Sequence, residues 1–371
     1  MHQKLERTIT AEQQALHDPR DQKAAKRLPG DARKYALKRA VQQFSADKGT
    51  DRAAILTYFA VLSLAPMLLA VFSILTLFLA SAADTVENFA QDLVTQTVPS
   101  EYQDLALNLI NTMTDSASGG VIALIVGTVV ALWSASKYVQ AFSRNLNGIY
   151  GVVEGRSMVK FYLSMLGITL VMVITVVVAL LSLALNATLV ETVFAPVAQA
   201  LGAEGALATL TDTFLPIWSW LKYPVVLALL IIMLGVLYHF SGNVERRFRL
   251  FSFGAIIAVI GIILAGIAMA IYLTYFASYS SYGAIGTLMA VLFVIWIFNI
   301  VIVLGAQIDV ELLRARQLVG GIAAEERVQV RPRSVATVEK QAEKHVESVE
   351  EAKVLRRSLS VINDRDSDEK S

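Results

Sequence analysis

Six apolar runs, each free of Asp, Glu, Lys and Arg, constrain this chain more than any other feature: 53–80, 121–136, 161–185, 224–240, 251–277 and 284–308. A helix needs about 20 residues to cross a hydrocarbon core, and each run reaches or approaches that length. Lipid offers backbone N–H and C=O groups no partners, so only helices or closed barrels can span it. These runs lack the strict alternation of a barrel strand. The expected fold is therefore all-α: a polytopic membrane protein with six transmembrane helices.

The segments between the runs orient them. Residues 1–52 carry twelve Lys/Arg against seven Asp/Glu, whereas 81–120 carries six acidic residues and no Lys or Arg. The next connection is basic again, with Lys137, Arg144, Arg156 and Lys160. Residues 186–223 hold Lys222 as their one basic residue, and the following turn brings Arg246, Arg247 and Arg249. Lys/Arg-rich short connections stay in the cytoplasm. Both termini are thus expected inside, with two long loops and one short loop outside. The domain reading is a basic cytoplasmic segment (1–52), a six-helix membrane domain (53–316) and a charged tail (317–371). Too little apolar surface is present in the tail to form a core, so it reads as disordered. The first span reads as an uncleaved anchor after a charged segment.

Amphipathic stretches flank the spans. Leu37, Ala40, Val41 and Phe44 recur at helical spacing among Arg33, Lys34, Lys38 and Arg39, the pattern of an interfacial helix on anionic headgroups at the cytoplasmic face. Packing on the cytoplasmic loops is the plainer alternative. In the first outer loop, Ser100 and Gln103 form a capping-box pattern ahead of an apolar stripe through Tyr102, Leu105, Leu109 and Met113. A second outer loop repeats this more weakly, so amphipathic helices are expected in both. Trp218, Trp220 and Tyr223 form an aromatic belt before the fourth span.

Chemistry-bearing groups are few. There is no Cys, and the four His lie at positions 2, 17, 239 and 345, too dispersed to suggest a metal cluster. No nucleophile elbow, zinc-protease motif or P-loop occurs, so neither an enzyme nor a cofactor is expected. Pro66 removes a hydrogen bond and bends the first span, a bend that either lines a cavity or arises from packing. Asn299 is the most polar side chain inside the last span, where it lines a path or bonds a neighbouring helix. Asn145 and Asn147 beside Arg144 suit either a headgroup site or an ordinary turn. Gly283 and Gly286 allow tight turning or close helix approach.

Three stretches carry a family resemblance. Asp51-Arg52-Ala53-Ala54 leads into Tyr58 and then Leu62-Ser63-Leu64-Ala65-Pro66; Leu132-Trp133-Ser134 precedes Asn145-Leu146-Asn147-Gly148-Ile149-Tyr150; and Tyr282-Gly283-Ala284-Ile285-Gly286 runs on to Leu304-Gly305-Ala306-Gln307-Ile308. Together they resemble the YihY/BrkB family from about Asp51 to Arg316. The resemblance implies a bacterial inner-membrane protein linked to envelope integrity and to movement of lipids or lipid-linked saccharides. It also brings an older ribonuclease label, which the absence of metal-ligand clusters and of a basic soluble RNA-binding domain opposes. Tyr58, Pro66, Trp133, Asn145, Asn147, Tyr282, Gly283, Gly286, Asn299 and Gln307 are the substrate-path candidates. Where family members often carry an acidic residue after Gly-Ala, this chain has Gln307, with Asp309 two places on. Expected partners are membrane lipids, envelope proteins or a second copy of the chain, and no nucleic acid. A non-transporting envelope scaffold is the competing reading.

Overall fold

The computed structural model describes residues 27–78, 121–185, 210–246, 251–276 and 283–368, with a few single positions between them. The two outer-loop helical stretches read from sequence lie outside the described residues, apart from those single positions. The elements are α1 (Gly30–Ala46), α2 (Gly49–Phe78), α3 (Val121–Tyr150), α4 (Met158–Ala184), a π-helical turn (Leu210–Phe214), α5 (Leu215–Phe240), β1 (Val244–Glu245), α6 (Phe253–Phe276), α7 (Gly283–Val319), β2 (Arg331–Pro332) and α8 (Val338–Asp368).

Four helical stretches among the described residues are long and apolar enough to cross a membrane: Met158–Leu183, Leu210–Phe240, Phe253–Ile271 and Met289–Val319. The first two apolar runs of the sequence lie in α2 and α3, each of 30 residues. Pro66 sits inside α2, as expected.

Close helix approach is built from small residues. Gly254 at the start of α6 faces Gly305 of α7 so tightly that a Cβ at 254 would lie 2.0 Å from the Gly305 carbonyl oxygen. Without a hydrophobic drive between helices in lipid, such small-residue contacts let backbones pack. Ser252 and Asp309 then cap α6: Ala255 N–H donates to Ser252 Oγ at 3.0 Å, and Gly254 N–H to Asp309 Oδ1 at 2.8 Å. Asp309 thus satisfies a helix N-terminus, where negative charge is favoured.

α7 has 37 residues, roughly 55 Å of helix at 1.5 Å per residue. A hydrocarbon core is about 30 Å thick, so several turns of α7 project beyond it. On that projection α1 docks: Leu28, Ala36 and Ala40 bury against Ile308, Leu312 and Ala315. The face that meets a neighbour is therefore the alanine stripe. Of the expected apolar face, Ala40 buries and Phe44 packs against the core, whereas Leu37 and Val41 stay exposed beside Lys34 and Lys38. The short side chains of Ala36 and Ala40 allow a closer approach than Leu or Val would.

From residue 317, where the sequence reads as a charged, disordered tail, the structure describes a packed strap and a helix. Gln317 is buried, and Ile322, Ala324, Val328 and Val330 bury along a strap that leaves the end of α7. The strap closes a two-stranded antiparallel ladder, with Val244 opposite Pro332 and Glu245 opposite Arg331. It is followed by α8, a 31-residue helix. Apolar residues spaced irregularly along 320–337 fill the gaps between helix ends, which no helical or strand period predicts.

Gly254→Ala is expected to cost about 1–3 kcal/mol through overpacking, read as a lower melting temperature in detergent. Gly167→Ala, with nothing within 4 Å of the added Cβ, is the control and should leave melting unchanged or slightly raised, because alanine favours helix.

Candidate functional site

Polar side chains concentrate where the helices leave their apolar stretches. Three arrangements are built there, and each uses residues from distant parts of the chain.

The first joins three helices. Asn299 of α7 accepts from Tyr138 Oη of α3 at 2.9 Å and donates to Thr57 Oγ1 of α2 at 3.3 Å and to its own Ile295 carbonyl at 2.9 Å. It is buried, as an intramembrane asparagine must be if its amide is to be satisfied. Trp296, one turn earlier, donates its indole N–H to the Thr50 carbonyl at 3.1 Å. In the same layer, Tyr238 of α5 donates to the Ile302 carbonyl at 2.6 Å.

The second arrangement locks the turn after α3 to the turn after α5. Glu154 chelates Arg156, whose Nε and Nη2 donate at 2.7 Å each to Oε1 and Oε2. Arg156 Nη2 also donates to the Ser241 carbonyl at 2.8 Å and to Ser143 Oγ at 3.2 Å. Asn147 donates to Glu154 Oε2 at 2.9 Å, and its own oxygen accepts from Asn243 N–H at 2.7 Å. The Asn243 side chain then donates to the Val153 and Ser334 carbonyls at 2.9 Å each and accepts from Ser334 N–H at 3.0 Å. A Cβ on Gly155 would lie 2.0 Å from the Ser334 carbonyl oxygen, so the strap can lie this close because residue 155 has no side chain. Arg333 donates to the His239 and Val244 carbonyls at 3.1 and 3.2 Å. Burial, followed by repulsion from Arg156 and Arg246, holds the Arg333 guanidinium below its ordinary range.

The third arrangement is a buried ion triad on the projection of α7. Glu311 is fully buried and pairs with Arg314 Nε at 2.9 Å and Arg39 Nε of α1 at 3.2 Å. Arg314 Nη1 donates on to the Ala324 carbonyl at 2.7 Å. Gln317 pairs with the Gln329 backbone through both halves of its amide, at 2.6 and 3.0 Å.

The residues expected from sequence therefore divide. Asn147 and Asn299 sit in the first two arrangements, and Gln307 is buried with its Nε2 unpartnered. Asn145 bonds back to the Ala141 carbonyl of its own helix at 3.3 Å. Tyr58 is 62% exposed on the outer face of α2, and Trp133 is exposed against Tyr162, ring centroids 5.3 Å apart. Gly283 and Gly286 lie at the far end of α7, and Tyr282 lies outside the described residues. Gly286 and Gln307 are 21 residues apart on one helix, about 31 Å, so the candidates do not form one site. Sequence reading missed Glu154, Asn243, Glu311, Arg314 and Ser334. Their signal was faint: charges after a span read as orientation, and their partners lie far away in sequence.

These features define a multi-pass α-helical membrane protein with a polar end held by buried networks. The chain belongs to the Virulence factor BrkB family, whose model matches residues 40–329. It is 30% identical over 284 residues to the Bacillus subtilis (strain 168) protein named "Putative ribonuclease-like protein YfkH", covering 76% of this chain and 96% of that one. No solved structure matches. The matched region includes α1 from Ala40, all the apolar helices and the strap as far as Gln329.

Truncation separates the strap from α8. Removing 339–371 should leave melting within about 0.5 kcal/mol of the full chain, as for an exposed segment. Removing 321–371 exposes Arg314 and Gln317 and should give early proteolysis at α7. Asn243→Ala should cost about 2–4 kcal/mol, since each of its hydrogen bonds contributes about 1 kcal/mol and its partners stay buried.

Proposed function

We propose that the protein resides in a bacterial inner membrane, with six spans and both termini in the cytoplasm. In this reading it supports envelope integrity by moving a lipid or lipid-linked envelope component. The observation that carries the reading is the distribution of polar groups. The six apolar runs within the helices hold no Asp, Glu, Lys or Arg, which suits an amphiphile and opposes a proton-relay pump. Gln307 Nε2 and Asp309 Oδ2 lie buried and unpartnered where α7 leaves its apolar stretch. Buried polar groups at such a place mark pathways more often than they stabilise a bundle. The networks around Asn243 and Glu311 would close the cytoplasmic end while the path opens elsewhere. Ribonuclease chemistry is not part of this proposal.

One feature favours the scaffold alternative. α8 offers a 31-residue helix with Val346, Val354 and Leu355 exposed among its charges, a surface for an envelope partner or a second copy.

Two experiments test the proposal. Reporter fusions after Gly119 and Gly202 should read outside, and those after Gly151, Asn243 and Leu318 inside; a cytoplasmic Gly119 overturns the topology. Purified protein in vesicles with a fluorescent phospholipid in both leaflets should hasten access of a membrane-impermeant quencher to the inner leaflet. A rate equal to that of protein-free vesicles, with a partner co-purifying through α8, would favour the scaffold.

A further inference from the structure

Arg39, Arg156 and Arg314 at the polar end each sit against a glutamate. Two guanidinium groups in the seam between α2 and α3 do not. Arg52, in the first turn of α2, lays its guanidinium over Gly148 of α3, with Nη1 and Nη2 3.4 and 3.5 Å from where a Cβ would stand. Its Nη1 is buried and has no hydrogen-bond partner. Arg144, one turn before Gly148, is exposed and places its guanidinium carbon 5.8 Å from the ring centre of Phe59. Phe59 lies two turns after Arg52 on α2, so both cations occupy one side of the same seam. Neither has a carboxylate partner among the described residues. The nearest acids in sequence are Asp47, which accepts from Gln43 Nε2 at 2.9 Å, and Asp51, which is exposed at the next helical position.

We propose that Arg52 and Arg144, seated on Gly148 and Phe59, form a binding site for the phosphate of an anionic glycerophospholipid. Guanidinium forks match phosphate oxygens in pairs, and two unpaired forks in one seam suit a phosphodiester. The Arg52 guanidinium already lies at contact distance from where a Cβ at 148 would stand, so a branched side chain there would crowd it, and the Phe59 ring orients Arg144 by a cation–π contact. A lipid, not a free phosphate, fits the surroundings. Ile55, Tyr58 and Leu62 continue from Arg52 along α2 as an exposed apolar stripe at helical spacing, where acyl chains would lie. Two turns from Arg144, Lys137 lies 5.6 and 5.8 Å from the Trp133 and Tyr162 rings, an amphipathic group of the kind found at headgroup depth. The site deepens the lipid-handling reading and rests on it for the ligand class. Binding is measured apart from transport, so a protein that binds lipid without moving it would sink the transport reading alone.

The test uses the full chain in mild detergent, with dioctanoyl phosphatidylglycerol, dioctanoyl phosphatidylcholine and inorganic phosphate as probes, read by native mass spectrometry and titration. Phosphatidylglycerol should bind most tightly. Arg52→Gln with Arg144→Gln should weaken it tenfold or more, and Gly148→Val should do likewise with both charges retained. Unaltered binding in folded forms of both variants overturns the site. Inorganic phosphate binding as tightly as the lipid overturns the lipid assignment. Should both variants misfold, wild-type protein decides: phosphatidylglycerol should protect Arg144 from phenylglyoxal, as mapped by peptide mass spectrometry, and equal labelling with and without lipid overturns the proposal.

Discussion

The side-chain amide of Asn243 holds the polar end together. With its backbone N–H it joins Asn147 of α3, the Val153 turn and Ser334 of the strap, at distances of 2.7–3.0 Å. Helices that leave lipid expose up to four unbonded carbonyls at their C-terminal ends. Water can satisfy these, but here the ends of α3 and α5 are buried by the strap, so protein groups must do it. An amide with two donors and an acceptor suits this meeting of three segments, because a hydroxyl has a single donor and an ionised carboxylate has none. The neighbouring Arg156 serves the Ser241 carbonyl in the same way, and Glu154 offsets the charge this buries.

How much was legible in the sequence follows from the range of each interaction. The apolar helices were legible because one physical demand, a satisfied backbone in lipid, acts over every residue of 161–185 or 284–308. Pro66 inside α2 was legible as a local feature of the same kind. The strap was not. Ile322, Ala324, Val328 and Val330 bury one at a time, Val328 and Val330 in one cluster with residues of α3, α5 and α7, and no period in 320–337 records that. The alanine stripe of α1 was hidden by a rule of thumb, since Leu37 and Val41 are the greasier residues. Their exposure beside Lys34 and Lys38 means that α1 meets α7 with one face and leaves another, with both apolar and basic residues, exposed. For the candidate site, Asn147 and Asn299 were visible as isolated polar residues, whereas Glu154, Asn243 and Glu311 acquire meaning through partners distant in the chain, as in the pairing of Glu311 with Arg39 and of Asn243 with Ser334.

The Glu311 triad raises a question of energetics. Burying a carboxylate with two guanidinium groups costs desolvation that its Coulomb gain often only balances, so such a triad is weak evidence for stability. Its geometry argues for specificity. Arg39 comes from α1, Arg314 from α7, and both reach carbonyls at 324 or 325, so one carboxylate fixes the register of three segments. A hydrophobic replacement of Glu311 would keep the volume and lose that register, leaving α1 free to slide along its alanine stripe.

These buried pairs also sharpen the meaning of the cations that lack one. The chain spends glutamates on Arg39, Arg156 and Arg314, whose positions are fixed by backbone carbonyls. Arg52 and Arg144 are instead positioned by a glycine surface and an aromatic ring, neither of which neutralises charge. A cation held in place but left electrically unsatisfied, at the edge of an apolar helix face, has its free energy lowered most by an anion that carries its own hydrocarbon. In the proposed topology, the positive charge that keeps short loops in the cytoplasm would also concentrate anionic lipid at the mouth of this seam, and one charge pattern would serve both ends.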